Sequence, residues 1–142
     1  MELKRVVVTG LGAITPLGHN VADTWAAVVD GVSGAGPITR FDASLFKTQF
    51  ACEVKDFDPS LYFDRKEARK YDRYAQYAVI AAKEGVEDSG LDLEKVNKNR
   101  VGVIFAAGIG GIRTFEEEVG GFYLNEDKGP RFNPFFIPKM IA

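Results

Sequence analysis

The stretch VVVTGLGAITPLG, Val6–Gly18, decides how the rest of the chain is read. A β-branched run ending in glycines is how a dinucleotide-binding strand-to-helix turn begins. That fingerprint, G-x-G-x-x-G, needs its third glycine so that helix and strand can pack closely. Gly10 and Gly12 fill the first two positions, but Thr15 stands in the third and Pro16 follows it. The variant in which Thr-Gly precedes three residues and a further glycine fails at Ile14. Proline fits only the first turn of a helix, and Gly18 with Asn20 point to a helix that begins later. The stretch therefore reads as a buried strand entering a tight turn, and a nicotinamide-dependent dehydrogenase is disfavoured.

Working outward, Leu3–Thr9 is expected to be a strand buried on both faces, because Val6, Val7 and Val8 are apolar without alternation. Asn20 is placed to cap the next helix, with Asp23 at its positive end. Val21, Trp25, Val28 and Val29 share a stripe of that helix, Gly31 stops it, and Gly31–Gly36 is a loop. From Phe46 to Lys55 apolar and polar residues alternate, which reads as an edge or hairpin strand with Phe46, Phe50, Cys52 and Val54 on its buried side. Asp64–Glu84 is the longest helical pattern, with Tyr71, Ala75, Ala78, Val79 and Ala82 as its inner stripe, and DSGLD, Asp88–Asp92, ends it. Val101–Ala107 is a second expected buried strand, closed by GIGG, Gly108–Gly111. Thr114 and Glu117 have capping-box spacing before a short helix bearing Phe115, Val119 and Phe122, interrupted at Gly120 and Gly121. An aromatic loop, GPRFNPFFIP from Gly129 to Pro138, follows, with Pro138 as the first position of a last helix.

Strands alternating with helices imply an α/β layered fold with a largely parallel sheet. Two buried strands and one edge strand are few for such a sheet, so residues 1–142 are expected to be the front portion of a larger domain. Apolar content of 46% with 27% charged residues is that of a globular chain, and a net charge of −2 gives no general attraction to nucleic acid or anionic membrane. No run is long enough to span a bilayer, and the N-terminus has no signal-peptide pattern. One cysteine, Cys52, excludes an internal disulfide and favours the cytoplasm; on the apolar side of its strand it is expected to be buried and inert. Cys52 and the one histidine, His19, cannot supply the four ligands of a structural zinc site. No cofactor is expected.

Six stretches in order carry a resemblance: VVVTGLGAITPLG, FDASLFKTQFACEVKDF, DRKEARKYDRYAQYA, DSGL, GIGG and GPRFNPFFIP. Together they resemble the N-terminal part of the β-ketoacyl-acyl-carrier-protein synthases, most of all the type II enzymes of bacterial fatty-acid elongation. The resemblance covers essentially the whole chain. It implies a thiolase-like αβαβα fold, of which this chain holds the front part of the N-terminal half, and a homodimeric enzyme. The implied reaction is a decarboxylative Claisen condensation, in which a cysteine thioester is extended by malonyl-carrier protein. In that family the opening glycine-rich stretch binds no nucleotide. The nucleophilic cysteine lies beyond the PFFIP stretch and both catalytic histidines come later, so no catalytic residue is assigned here. Cys52 and His19 match neither role, and His19 reads as a solvated turn residue.

The resemblance assigns supporting parts. Ile109 falls on the acyl-pocket gate, where a branched apolar side chain moves to admit a long chain; simple loop packing is the alternative. Phe135 and Phe136 match an aromatic stretch near the acyl tunnel and subunit interface, and ordinary core packing accounts for them equally. Lys66, Arg69 and Lys70 match residues that dock the acidic acyl carrier protein with its phosphopantetheine-bound acyl and malonyl groups. They share one helix face with Arg73 by their i, i+3, i+4, i+7 spacing, and a plain solvated surface is the alternative. Arg131 resembles a further carrier-contacting arginine, in a loop one residue shorter than the family's usual form. A non-catalytic chain-length factor that pairs with a true synthase would share all of these features. A cysteine soon after residue 142 distinguishes the enzyme from it.

Overall fold

The computed structural model describes residues 3–125, 129 and 131–141. The chain forms two compact units, Met1–Phe57 with Ile80–Val96, and Asp58–Val79 with Asn97–Ala142.

In the first unit the glycine-rich stretch lies against the C-terminal half of a long helix, α3 (Arg73–Asp88). A Cβ on Gly12 would collide with the Ala81 carbonyl oxygen and stand 2.7 Å from the Gly85 nitrogen. One on Gly10 would collide with the Gly85 carbonyl and stand 2.8 Å from the Ser89 Cβ. These glycines let backbone meet backbone. Carboxylates on the same helix then fasten the stretch. Glu84 accepts the Ala13 N–H on one oxygen and the Val21 N–H on the other, each at 2.8 Å, and Asp88 accepts the Leu11 N–H at 2.8 Å. Amides that would hold a phosphate in a nucleotide-binding loop are thus taken by two negative groups. Pro16 sits in a tight turn in which Thr15 and Gly18 exchange backbone hydrogen bonds of 2.8 and 3.3 Å. Helix α1 (Val21–Val29) starts after it, with Asn20 Oδ1 accepting the Asp23 N–H at 2.7 Å. Gly31 and Val32 close that helix by donating to the Val28 and Ala27 carbonyls.

Neither apolar run expected as a buried strand is paired with another strand. Val6 and Val8 are 89% and 78% exposed, and Val103 and Ile104 are 84% and 96% exposed. A strand needs neighbours to take its backbone donors and acceptors, and among the described residues neither run has one. The α1 stripe is corrected likewise: Trp25, Val28 and Val29 are exposed, and Val21, Thr24 and Ala27 are the half-buried positions.

The alternating stretch from Phe46 forms a hairpin strand over two residues. β2 (Phe50–Ala51) pairs antiparallel with β1 (Gly36–Pro37), extended by an Ile38 N–H to Gln49 carbonyl bond of 3.1 Å. From Phe50 to Glu53 the faces are opposite to those expected, since Phe50 and Cys52 are exposed while Ala51 and Glu53 are half-buried. Val54 is half-buried and Lys47, Gln49 and Lys55 are exposed, as expected. The inward position of Glu53 has a polar cause: its carboxylate accepts the Thr39 hydroxyl at 2.6 Å and the Thr39 N–H at 3.3 Å. Those bonds, led by the hydroxyl, also hold its pKa below the ordinary carboxylate value. His19 is half-buried, donating from Nε2 to the Lys55 carbonyl at 2.8 Å with its ring edge-on to Phe57.

In the second unit the pattern expected as one helix from Asp64 is divided into α2 (Arg65–Ala68) and α3. Helix α4 (Ile112–Leu124) runs unbroken through Gly120 and Gly121, and α5 (Phe136–Met140) packs on it. Pro138 is the third residue of α5, because Asn133 already turns the chain by accepting the Phe136 N–H on its carbonyl and the Phe135 N–H on Oδ1.

Candidate functional site

The seven candidate residues, Lys66, Arg69, Lys70, Ile109, Arg131, Phe135 and Phe136, all belong to the second unit. Asp64 caps α2 by accepting the Lys66 and Glu67 N–H groups at 2.7 and 2.8 Å. These bonds, the Glu67 one foremost, with Lys70 nearby, hold its carboxyl below the ordinary aspartate pKa. Lys66, Arg69 and Lys70 are exposed on this single turn and the residues that leave it. The shared face does not extend to Arg73, which is the first residue of α3.

The break between the helices has a definite cause. In a continuous helix the Ala68 carbonyl would accept the N–H of residue 72; here the Gln76 side chain, only 6% exposed, donates to it at 2.9 Å and to the Tyr71 carbonyl at 3.4 Å. Asp72 then starts α3, its carbonyl accepting the Gln76 N–H at 3.0 Å.

The Asp72 carboxylate accepts the hydroxyl of Thr114 in the first turn of α4, immediately after the glycine loop. The expected capping box is therefore absent. Thr114 is spent on Asp72, Gly111 stands at the cap position, and Glu117 pairs with Arg113 at 2.7 Å. Gly111 is buried, and its N–H donates to the Met140 carbonyl at 3.0 Å. A Cβ there would collide with the Lys139 carbonyl and stand 3.1 Å from Asp72 Oδ2. Two residues upstream Ile109 is 72% exposed, and Gly110 between them has φ +76°. The loop thus joins a free apolar side chain to an end fixed on α5.

Phe136 stacks on Phe132 and Phe115, with ring centroids 5.6 and 6.3 Å apart, and Phe122 stacks on Phe132 at 5.7 Å. Phe135, immediately before α5, is exposed. Arg131 borders a cleft of about 310 Å³ lined also by Glu117, Glu118, Phe122 and Asn125. The structure thus joins the Ile109 loop to the helix carrying Phe136, while Arg131 lies among carboxylates. Among the described residues no cluster of His, Cys, Asp or Glu is placed to hold a metal ion, and no helix is long and apolar enough to cross a membrane.

Residues 3–142 match the family model for the β-ketoacyl synthase N-terminal domain. The chain belongs to the β-ketoacyl synthase family. It is 49% identical to the 3-oxoacyl-[acyl-carrier-protein] synthase 2 of Coxiella burnetii over 99% of this chain and 34% of that protein. To the Synechocystis protein of the same name it is 47% identical over 100% and 34%. The chain spans about a third of the length of the curated relatives it matches. Among solved structures it superposes on the ishigamide ketosynthase/chain length factor with a TM-score of 0.72 at 30% identity, covering 96% of this chain and 34% of that one. A type II polyketide acyl-carrier protein in complex with its ketosynthase bound to the hexaketide gives 0.68 at 30% identity, over 94% and 34%. A β-ketoacyl synthase from Burkholderia phymatum gives 0.73 at 23% identity over 99% and 34%, a likeness of fold alone. The fold is the front part of the thiolase-like layered architecture these β-ketoacyl synthases share.

Asp72, Gln76 and Thr114 were not singled out by sequence as parts of one arrangement. The available signal was Asp72 itself, an aspartate directly before an apolar-periodic run and so a natural helix start.

Proposed function

We propose that this chain is the front part of a 3-oxoacyl-[acyl-carrier-protein] synthase of the type II elongation class. It would act as a homodimer in the cytoplasm, condensing malonyl-carrier protein with an acyl thioester. The observation that carries this reading is the match over residues 3–142, with 49% and 47% identity to relatives so named. In the reaction an acyl chain is held as a cysteine thioester and malonyl-carrier protein loses CO2. The carbanion attacks the thioester carbon, releasing the thiolate and leaving a chain two carbons longer. Residues of this chain bind and admit the substrates and do not perform that step. Lys66, Arg69 and Lys70 supply cations for an acidic carrier protein, with Arg131 as a further contact, and Ile109, Phe135 and Phe136 line the acyl path. A chain-length-factor role is the second reading, favoured by the ketosynthase/chain length factor among the structural neighbours. A nucleophilic cysteine in the segment following residue 142 decides for the enzyme.

Exposed charges of this kind act by steering and orientation and are screened over about 8 Å at physiological salt. In the full-length protein, Lys66→Glu with Arg69→Glu should lower kcat/KM for carrier-bound substrates about tenfold or more while sparing acyl-pantetheine thioesters. Added salt should bring the wild type toward the variant. Equal losses on carrier-bound and carrier-free substrates would make these residues a plain charged surface.

Ile109→Phe tests the gate. Ile109 is 72% exposed in this part of the protein, so the phenyl ring adds bulk to the acyl path rather than overpacking a core, and only long primers need the deeper path. Turnover of long acyl primers should therefore fall more than that of short ones; an equal fall would remove Ile109 from gating.

A further inference from the structure

We infer that Asp72 and Thr114 are positioning residues that hold the carrier-docking turn and the acyl gate in one frame, an inference that rests on the condensing-enzyme reading above. Asp72 lies two residues after Lys70, and its backbone carbonyl receives the N–H of Gln76, the residue whose buried side chain bonds the Ala68 and Tyr71 carbonyls. The docking turn is thus fixed at both ends, by Asp64 where it begins and by Gln76 where it finishes. The Asp72 carboxylate reaches across to α4, where it accepts the hydroxyl of Thr114, itself 6% exposed. A hydroxyl-to-carboxylate bond is about twice as strong as a neutral one, and this one is part-buried, with its donor shielded from water. The same carboxylate oxygen bounds the space beside Gly111, the fixed end of the gate loop, whose other neighbour is the Lys139 carbonyl of α5.

Motion of the gate and seating of the carrier therefore share one anchor. Ile109 and Gly110 can swing while Gly111 and Thr114 stay registered to the segment on which the carrier would sit. Loss of the Thr114 hydroxyl leaves the cations of the docking turn and the side chain of Ile109 in place. What it removes is the bond between them. The consequence falls on the substrate that needs both at once, a long acyl chain delivered by the carrier.

The test uses the full-length protein with long and short acyl primers, each presented on the carrier and as a pantetheine thioester. Thr114→Val, which keeps the shape and removes the donor, should lower kcat/KM for the long carrier-bound primer about fivefold or more. Carrier affinity and turnover of short primers should stay within about twofold. Thr114→Ser, which keeps the hydroxyl, should behave as the wild type, and Thr114→Ala, which loses it without bulk, should behave as Thr114→Val. The Ser and Ala pair decides the matter if the valine variant does not fold. Equal loss on all four substrates, no loss on any, or failure of serine to restore the wild-type pattern would overturn the inference. If instead Lys66→Glu with Arg69→Glu treats carrier-bound and carrier-free primers alike, the docking reading itself fails, and the coupling inference with it.

Discussion

Gly12→Ala should destabilise the first unit by about 3 kcal/mol or more, at the upper end of what overpacking does. The added methyl would meet the Ala81 carbonyl oxygen and the Gly85 nitrogen, both backbone atoms of α3, and no flexible side chain is there to move aside. Relief requires the glycine-rich stretch to lift off the helix, which stretches the bonds from Leu11 and Ala13 to Asp88 and Glu84 at the same time. Gly120→Ala is the control: it sits in the interior of α4 with nothing within 4 Å of the new methyl, and alanine is the better helix former by about 1 kcal/mol. Amide exchange at Leu11 and Ala13 reads the result directly. A 3 kcal/mol loss corresponds to acceleration of about a hundredfold, whereas Gly120→Ala should leave those amides unchanged. Unaltered protection in Gly12→Ala would show that the stretch does not depend on close approach to α3.

That packing also explains what sequence patterning could and could not reach. The failure of Gly10, Gly12 and Thr15 to complete a dinucleotide fingerprint was readable directly, as were the Asn20 cap and the turn at Pro16, because each depends on residues within a few positions. The purpose of the glycines was not, since it lies 70 or so residues away on α3, at Gly85 and Ala81. The apolar runs Leu3–Thr9 and Val101–Ala107 have the pattern of buried strands of a layered fold, yet neither forms a strand here. Strand pairing is a property of neighbours, and among the described residues these runs have none. Cys52 and Glu53 changed places for a related reason: alternation fixes that two faces exist, and the Thr39 bonds to Glu53 choose which one turns inward. At the candidate site, the order of motifs pointed to Lys66, Arg69, Lys70 and Ile109. Which polar groups tie them together depended on a break in the helix that periodicity does not register. A buried glutamine in place of an N–H donor at the Ala68 carbonyl preserves the apolar spacing on both sides of the break.

Glu84→Ala should be as damaging as the glycine variant, and for an electrostatic reason. One carboxylate serves two amides 63 and 71 residues away in the chain, Val21 and Ala13, each at 2.8 Å and each part-buried. Val21 is the first residue of α1, so its N–H is one of the donors a helix cannot satisfy internally, and a negative group there also favours the positive helix end. Hydrogen bonds to a charged group contribute about 1.5–3 kcal/mol each, which puts the loss of both at about 3 kcal/mol or more. Glu84→Gln separates charge from geometry. Its one carbonyl oxygen can keep a single amide, while its NH2 group faces the other donor, so the loss should be smaller than for alanine but not absent. Asp88→Asn removes charge from the exposed Leu11 bond alone and should cost about 1 kcal/mol. The order alanine, glutamine, then the Asp88 variant should appear both in thermal midpoints and in exchange at Ala13 and Val21. Two results would refute the role: a glutamine variant as stable as the wild type, or an alanine variant that speeds exchange at Ala13 while leaving Val21 protected. The second would mean that Asn20 holds the start of α1 without help from α3.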